Sequence, residues 1–200
     1  MAKERLKSPR ARLFVALDLP ERVRVGIAAW ARVALADPAL RPVGLESLHI
    51  TLAFLGYLPE KEIPRLGEIV EACRGSAPSI ELADPLPRPE RGRPRLFALP
   101  AESPGAIALQ AELAEKLVTA RLYEPEKRPF WPHVTVARVR REERGSKRSA
   151  LVSELPGALP QGLLQPAVCR RMTLYRSELQ PQGAQYTPLA QVELPADGRQ

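Results

Sequence analysis

The apolar positions of the chain fall into short runs of strand length and longer stripes with helical spacing. Residues 12–17 read R-L-F-V-A-L, residues 95–99 read R-L-F-A-L, and a proline follows each run closely. Both runs are typical of β-strands. H-I-T-L-A at 49–53 and H-V-T-V-A at 133–137 alternate polar and apolar residues, a pattern that predicts strands with one buried face.

Helical stripes follow both R-L-F runs, and each begins at a proline. The first predicted helix runs from Pro20 to about Ala36, with Val23, Ile27, Trp30 and Ala34 on one stripe. The second begins at Ser103-Pro104, with Ile107, Leu109, Leu113 and Leu117 at helical spacing and a Glu112/Lys116 surface pair. Further helices are predicted near residues 59–73 and 147–155, and further strands near 79–82, 168–175 and 189–194.

The two halves of the chain repeat this order of elements. Arg12 precedes His49 by 37 residues, and Arg95 precedes His133 by 38 residues. Each half therefore reads as strand, helix and strand. We predict a single domain over residues 1–200 that is made of two related lobes, with approximate sequence halves 12–90 and 91–195.

Composition and charge indicate the class of partner. A hydrophobic fraction of 44% in 200 residues supports a substantial core, and the net charge of +7 favours a polyanionic partner. Basic residues concentrate at 88–95 and 138–148. Such runs are either solvated surface charge or arginines that follow phosphates, and composition does not separate the two.

Cysteine usage and hydropathy indicate the compartment. Cys73 and Cys169 lie far apart without the spacing of a disulfide framework or a zinc site. The charged first residues lack the apolar region of a secretory signal, and no apolar run is long enough to span a bilayer. We expect a cytoplasmic protein with no membrane partner.

The chain has only two histidines, and both stand in the pattern H-x-T. On a strand, His49 and Thr51 face one way, and His133 and Thr135 repeat the arrangement. If a pseudo-two-fold relates the halves, the two polar pairs face each other across a cleft. Two imidazoles can then act as acid and base near neutral pH, while the hydroxyls donate hydrogen bonds to anionic oxygens. This set suits a phosphodiester.

Other interpretations of the motifs are weaker. One histidine beside a threonine on a strand is usually a structural residue, but threonine occupies only 5 of the 200 positions and follows both histidines at the same spacing. A metal site is disfavoured because two histidines lack a nearby third ligand. Arg138 lies five residues after His133, where strict alternation points it to the opposite face unless a bulge redirects it.

Longer motifs surround both histidines. They are R-L-F-V-A-L-D-L-P from Arg12, L-H-I-T-L-A-F-L-G from Leu48, R-P-F-W-P-H-V-T-V-A-R-V from Arg128, L-Y-R-S-E-L from Leu174 and Y-T-P-L-A from Tyr186. In this order they resemble the two-histidine (2H) phosphoesterases, specifically the LigT-like RNA 2′,3′-cyclic phosphodiesterases, also called 2′-5′ RNA ligases. The resemblance spans nearly the whole chain.

The resemblance implies a bilobal, pseudo-two-fold α+β fold in which two antiparallel sheets line a central cleft and helices lie outside. It implies that His49 donates a proton, that His133 accepts one, and that Thr51, Thr135 and Arg138 bind the substrate phosphate. It implies no metal and no cofactor. The expected reaction is hydrolysis of 2′,3′-cyclic phosphates on RNA ends or nucleotides to 2′-phosphomonoesters, and we expect a monomer.

Two departures from the family pattern affect nucleotide binding. The chain reads R-P-V-G at residues 41–44, where the family often has R-W-V-P, and Trp131 replaces an arginine before the second motif. Trp131 either stacks on a base or packs in the core. Two other functions stay open: cleavage or joining of 2′-5′ linkages, and RNA or nucleotide binding without catalysis.

Overall fold

The computed structural model describes residues 8–143, 145–180 and 183–196, which form three α-helices and ten β-strands. The helices are α1 (Glu21–Ala34), α2 (Ile63–Glu71) and α3 (Pro104–Thr119). The strands are β1 (Arg10–Asp18), β2 (Leu40–Pro42), β3 (His49–Pro59), β4 (Ser79–Leu82), β5 (Leu86–Arg88), β6 (Leu96–Glu102), β7 (His133–Val139), β8 (Ala167–Val168), β9 (Arg171–Gln180) and β10 (Gly183–Glu193).

The strands form two antiparallel groups that meet at the centre of the molecule. One group has the order β10-β9-β1-β3, and the other has the order β7-β6-β4-β8, with β2 on β7 and β5 on β6. The groups join where β3 pairs with β7 through Ile50 and Val134. The predicted α+β fold is confirmed, and its two lobes are joined edge to edge at this single pair.

The two lobes exchange strands between the sequence halves. β4 comes from the first half and pairs with β6 of the second half. β9 comes from the second half and pairs with β1 of the first half. Each of the two strand groups therefore contains strands from both sequence halves, 12–90 and 91–195.

The helices cover the face of the sheet that carries its apolar residues. Ile27 of α1, Leu66 of α2 and Leu113 of α3 are fully buried in the same core as Leu17 and Ile50 of the strands. Since side chains alternate along a strand, the polar neighbours of Ile50 point away from the helices. The helices therefore lie on the far side of the sheet from the histidines.

The helices predicted in the regions of α1, α2 and α3 are confirmed. The Ser103 hydroxyl caps α3 by accepting a hydrogen bond from the Ala106 amide at 3.0 Å. Glu112 and Lys116 form the predicted pair at 3.6 Å. Ile107 does not belong to the buried stripe of α3, because its side chain is 47% exposed.

The helix predicted at residues 147–155 is wrong. That segment contains no helix, and the carboxylate of Asp37 holds its backbone in a bent conformation. Asp37 is only 6% exposed, and it accepts hydrogen bonds from the Ser153 amide and hydroxyl and from the Glu154 amide. A fixed external acceptor satisfies these donors and removes the advantage of a helical turn.

The last strands differ from their predicted bounds. The strand predicted at 168–175 is interrupted after Val168 and resumes as β9, while the final strand begins at Gly183 rather than at Leu189. Pro181 and Gln182, between β9 and β10, lie outside the described residues. Among the residues that the structure describes, no helix is long and apolar enough to cross a bilayer.

Candidate active site

A cleft of about 670 Å³ lies between the two lobes. All five residues predicted for the site line it: His49, Thr51, His133, Thr135 and Arg138. β1, the segment 41–47 and β10 supply most of its other walls. The two H-x-T motifs therefore meet in one cavity, on the face of the sheet opposite the helices.

The pairing of β3 with β7 sets the two motifs in a diagonal arrangement. Ile50 lies opposite Val134, and both side chains are fully buried. Continuing the antiparallel register by one residue in each direction sets His49 across from Thr135 and Thr51 across from His133. Each histidine thus faces the threonine of the other motif, so a single bound group can contact all four side chains.

A β-bulge in each motif strand redirects the residues that follow the threonine. On β7, Thr135 pairs with Ala98 and Ala137 pairs with Phe97, so Val136 is an extra residue. Val136 and Ala137 are both buried, and Arg138 then points to the cleft side. The bulge explains why Arg138 lines the cleft although strict alternation predicts the opposite face.

The same bulge occurs on β3, but a different residue follows it. Thr51 pairs with Ala16 and Ala53 pairs with Val15, which leaves Leu52 as the extra residue. Phe54 therefore takes the position that Arg138 has in the other lobe, and it also lines the cleft. The pseudo-symmetry of the site thus places an aromatic ring opposite a guanidinium.

Arg12 supplies a cation on the Phe54 side of the cleft. Its guanidinium carbon lies 4.6 Å from the centre of the Phe54 ring, and its Nη1 donates to the Ser177 hydroxyl at 2.7 Å. Sequence reasoning did not identify Arg12 or Phe54 as site residues. The available signal was the repeat itself, since Phe54 follows His49 by the same five positions that separate Arg138 from His133.

An aromatic cage surrounds His49. Phe14 stacks on its ring at 5.0 Å, Tyr186 meets it edge-on at 5.4 Å, and Tyr175 lies at 6.3 Å. Burial lowers the pKa of His49 to about 4, while the negative charge of Asp18 opposes this shift and the charge of His133 adds to it. The ring is therefore neutral near pH 7, and a negative charge beside it favours its protonated form.

Asp18 is the carboxylate whose charge raises the pKa of His49 against the effect of burial. The two residues are direct partners in the pairing of β1 with β3. The Asp18 carboxylate accepts hydrogen bonds from Arg171 Nε and Thr173 Oγ1, both at 2.8 Å, and from the Tyr175 hydroxyl at 2.9 Å. These bonds fix the position of the carboxylate next to the His49 strand.

Trp131 fixes the orientation of His133. The two rings stack with 4.3 Å between their centroids and 14° between their planes, and His133 Nδ1 lies 2.8 Å from the Trp131 carbonyl oxygen. Only a protonated Nδ1 can donate to a carbonyl, so the neutral ring leaves Nε2 as its acceptor. Burial lowers the pKa of His133, the bond to the Trp131 carbonyl opposes this shift, and Arg88 lowers the pKa further.

Neither face of the Trp131 ring is free for a base. The Arg88 guanidinium carbon lies 3.9 Å from the ring centre, and two groups this close to one ring must occupy opposite faces. Trp131 is therefore packed between Arg88 and His133 rather than exposed in the cleft. Among the described residues, no group of three or more His, Cys, Asp or Glu side chains is placed to hold a metal ion.

Comparisons with known proteins show the family of the chain. The 2′-5′ RNA ligase superfamily matches residues 19–179. An RNA 2′,3′-cyclic phosphodiesterase of Thermus thermophilus is 34% identical over 92% of this chain and 90% of its own length. A protein of the same name from Methanothermobacter thermautotrophicus is 32% identical over 90% and 97% of the two lengths.

Solved structures show the same fold. The crystal structure of a Thermus thermophilus protein, TT0787, superposes with a TM-score of 0.75 at 29% identity, covering 93% of this chain and 99% of the other. Escherichia coli LigT complexed with 3′-AMP gives the same TM-score and coverage at 26% identity. The chain therefore belongs to the 2′-5′ RNA ligase superfamily, as its two H-x-T motifs predict.

Proposed function

We propose that the protein hydrolyses 2′,3′-cyclic phosphates on RNA ends or nucleotides to 2′-phosphomonoesters without a metal ion. The meeting of two histidines and two threonines in one cleft is the observation that carries this proposal. The names of the relatives in Thermus and Methanothermobacter support the same activity. The reaction needs an acid, a base and neutral donors to the phosphoryl oxygens, and the cleft offers each of them.

In this proposal, His133 is the general base. The bond from Nδ1 to the Trp131 carbonyl leaves the Nε2 lone pair for a water molecule. A lowered pKa keeps the ring neutral at neutral pH, as a base requires. The water oxygen bonds to phosphorus as Nε2 takes one of the water protons.

His49 is the general acid. Burial disfavours its charged form, but an anionic phosphodiester beside the ring adds a negative charge to that of Asp18 and raises the pKa of His49. The bond from phosphorus to the 3′-oxygen breaks as His49 delivers its proton to that oxygen. The phosphate stays on the 2′-oxygen, which gives a 2′-phosphomonoester.

The phosphate is held by Thr51, Thr135 and Arg138. The two hydroxyls donate hydrogen bonds to the non-bridging oxygens and do not titrate near neutral pH. The Arg138 guanidinium offers a pair of parallel donors to the same oxygens. Donors placed where charge develops stabilise the transition state more than the ground state.

One chain provides both histidines and both threonines, and this supports a monomer as the active unit. A second chain is not needed to complete the cleft. Light scattering of the purified protein tests this proposal, and it should give a mass near 22.1 kDa.

Cleavage or joining of 2′-5′ linkages is the second candidate, because the matching superfamily is described by that reaction. Both reactions would use the same phosphate and the same histidines. A linear 2′-5′-linked dinucleotide should therefore be assayed beside a cyclic nucleotide. Faster turnover of the linear substrate would favour the second candidate.

The direct test uses a 2′,3′-cyclic mononucleotide with excess chelator, with products identified by ³¹P NMR. We expect turnover to the 2′-phosphate, and we expect the chelator to leave the rate unchanged. Binding of the nucleotide without any turnover would instead support a non-catalytic role. A 3′-phosphate product would contradict the proposed roles of the two histidines.

A further inference from the structure

We infer that a second groove beside the cleft holds the backbone phosphates of an RNA strand on the 5′ side of the cyclic end. This inference rests on the proposed function. The groove has a volume of about 880 Å³, and we call it the basic groove. Its charged lining consists of Arg41, Arg95, Arg138, Arg140, Arg141 and Lys147.

The basic groove continues directly from the cleft. Arg41 and Arg138 line both cavities. A ligand that leaves the histidines in this direction therefore passes both Arg41 and Arg138. Because a cyclic phosphate lies at the 3′ end of an RNA, the rest of the strand extends from the cleft in the 5′ direction only.

Pairing in the sheet brings like charges together at the junction. Arg41 on β2 is the direct cross-strand partner of Arg138 on β7. Like charges at directly opposite positions destabilise an antiparallel pair. Within the described residues, no ion pair joins either guanidinium to a carboxylate, so the sheet keeps this arrangement without internal compensation.

Two neighbouring arginines outside the groove lie beside a carboxylate. Arg93 pairs with Glu142 at 3.0 Å, and Arg148 approaches the same carboxylate at 3.7 Å. Inside the groove, Arg140 instead donates to the Pro38 carbonyl at 3.1 Å, and Arg141 donates to the Ser146 carbonyl. Carbonyl acceptors orient these side chains but leave their positive charge available to an anion.

The lining suits phosphates rather than bases. Besides its six basic residues, the described lining contains Val139 and Ser149 and no aromatic side chain. Proteins bind the bases of a single strand by stacking them on aromatic side chains, whereas Lys and Arg side chains bind the backbone phosphates. The basic groove therefore contributes affinity for a polymer and little base preference.

Only some residues of the two basic runs at 88–95 and 138–148 line the basic groove. The run at 88–95 contributes Arg95 to the groove but not Arg91, and the run at 138–148 contributes most of the other cations. Arg144 of that run lies outside the described residues. We therefore expect RNA contacts from individual residues of each run and not from every basic residue in it.

The test compares substrates of one, two, four and six nucleotides, each ending in a 2′,3′-cyclic phosphate. We expect kcat/KM to rise with length until the groove is filled. The double variant Arg95→Gln/Lys147→Gln should lower the ratio of oligonucleotide to mononucleotide kcat/KM. A general loss of active enzyme lowers both values equally and leaves this ratio unchanged. The matched control is Lys61→Gln/Arg65→Gln, which removes the same charge from exposed positions that line neither cavity.

Salt dependence gives a second readout. Each phosphate contact with a single strand contributes about 0.7 to the slope of log K against log salt concentration. Removing two contacts should therefore reduce the magnitude of the slope for the six-nucleotide substrate by about 1.4. The control double variant should keep the wild-type slope. Equal kcat/KM for all lengths, or equal losses in both double variants, would overturn the inference. Failure to hydrolyse the mononucleotide would instead count against the proposed function.

Discussion

The rings of Trp131 and His133 lie face to face, 4.3 Å apart and 14° from parallel. The carbonyl of the same tryptophan also lies 2.8 Å from His133 Nδ1. One residue thus fixes both the plane and the tautomer of the histidine, while Arg88 closes the other face of the indole. The tryptophan that departs from the family pattern serves the second histidine rather than a base.

Replacing Trp131 by leucine should change the pH dependence of the reaction. Burial is the main cause of the lowered pKa of His133, so opening one face of the ring should raise that pKa. A base acts when deprotonated, and the acidic limb of kcat, which reports the enzyme–substrate complex, should therefore move to higher pH. Loss of ring alignment should also lower the maximum by about 10- to 100-fold.

Trp131→Phe is the control for this prediction, because a phenyl ring can keep the stack. It should retain most of the activity and the position of the limb. If Trp131→Leu lowered the rate without moving the limb, the tryptophan would have only a packing role.

Replacing Asp18 by asparagine should move the alkaline limb of the pH profile of kcat. The Asp18 charge raises the pKa of His49 against burial, so its removal should lower that pKa further. An acid acts when protonated, and the alkaline limb of kcat should move to lower pH by about one unit. The measurement is the pH profile of kcat, which reports the enzyme–substrate complex.

Thr173→Val is the matched control for Asp18→Asn. It removes one hydrogen bond to the Asp18 carboxylate and leaves the charge in place. Its alkaline limb should stay near that of the wild type. Equal shifts in the two variants would mean that hydrogen bonding, and not the charge of Asp18, sets the His49 pKa.

Replacing Asp37 by asparagine should destabilise the protein in a pH-dependent way. Hydrogen bonds from the Glu154 amide, the Ser153 hydroxyl and the Ala39 amide hold the pKa of Asp37 at about 2. A lowered pKa stabilises the fold above the unfolded value of about 4, and the stabilisation is lost as the pH falls towards 2.

The Tm of Asp37→Asn should therefore lie below that of the wild type at pH 6, and the difference should shrink as the pH approaches 2. Thermal unfolding at several pH values measures this. A difference that did not vary with pH would show that the charge of Asp37 contributes nothing to its role.

Local periodicity predicted the faces of the motif strands, since the alternation around His49 and His133 is a property of each strand alone. It did not predict the orientation of Arg138, because the bulge at Val136 is visible only in the pairing with β6. The wrong prediction of a helix at 147–155 has a similar cause. Asp37, which bends that segment, lies more than 100 positions earlier in the chain.

The sequence repeat and the structural repeat also differ by one residue. Ala16 and Ala98 are equivalent because each pairs with the threonine of its motif strand. This register puts Phe14 in the cleft against His49, whereas Phe97, its counterpart in the R-L-F match, is buried in the core. Strand register depends on the partner strand, so the matching letters alone could not assign these two rings.

The division of work between the histidines predicts different responses to a better leaving group. His49→Ala and His133→Ala should each lower kcat by about 10²–10⁴-fold and change KM little, since acid–base groups act mainly in the transition state. A thiolate leaves without full protonation. Sulfur in place of the 3′-bridging oxygen should therefore compensate for the missing acid but not for the missing base.

The most direct measurement is kcat for both alanine variants on a 2′,3′-cyclic nucleotide and on its 3′-thio analogue. The expected result is substantial recovery of His49→Ala on the thio substrate and none of His133→Ala. Recovery of His133→Ala alone would reverse the two roles. More than about a tenth of wild-type kcat in either variant on the oxygen substrate, well above the loss expected for a general acid or base, would contradict the two-histidine mechanism itself.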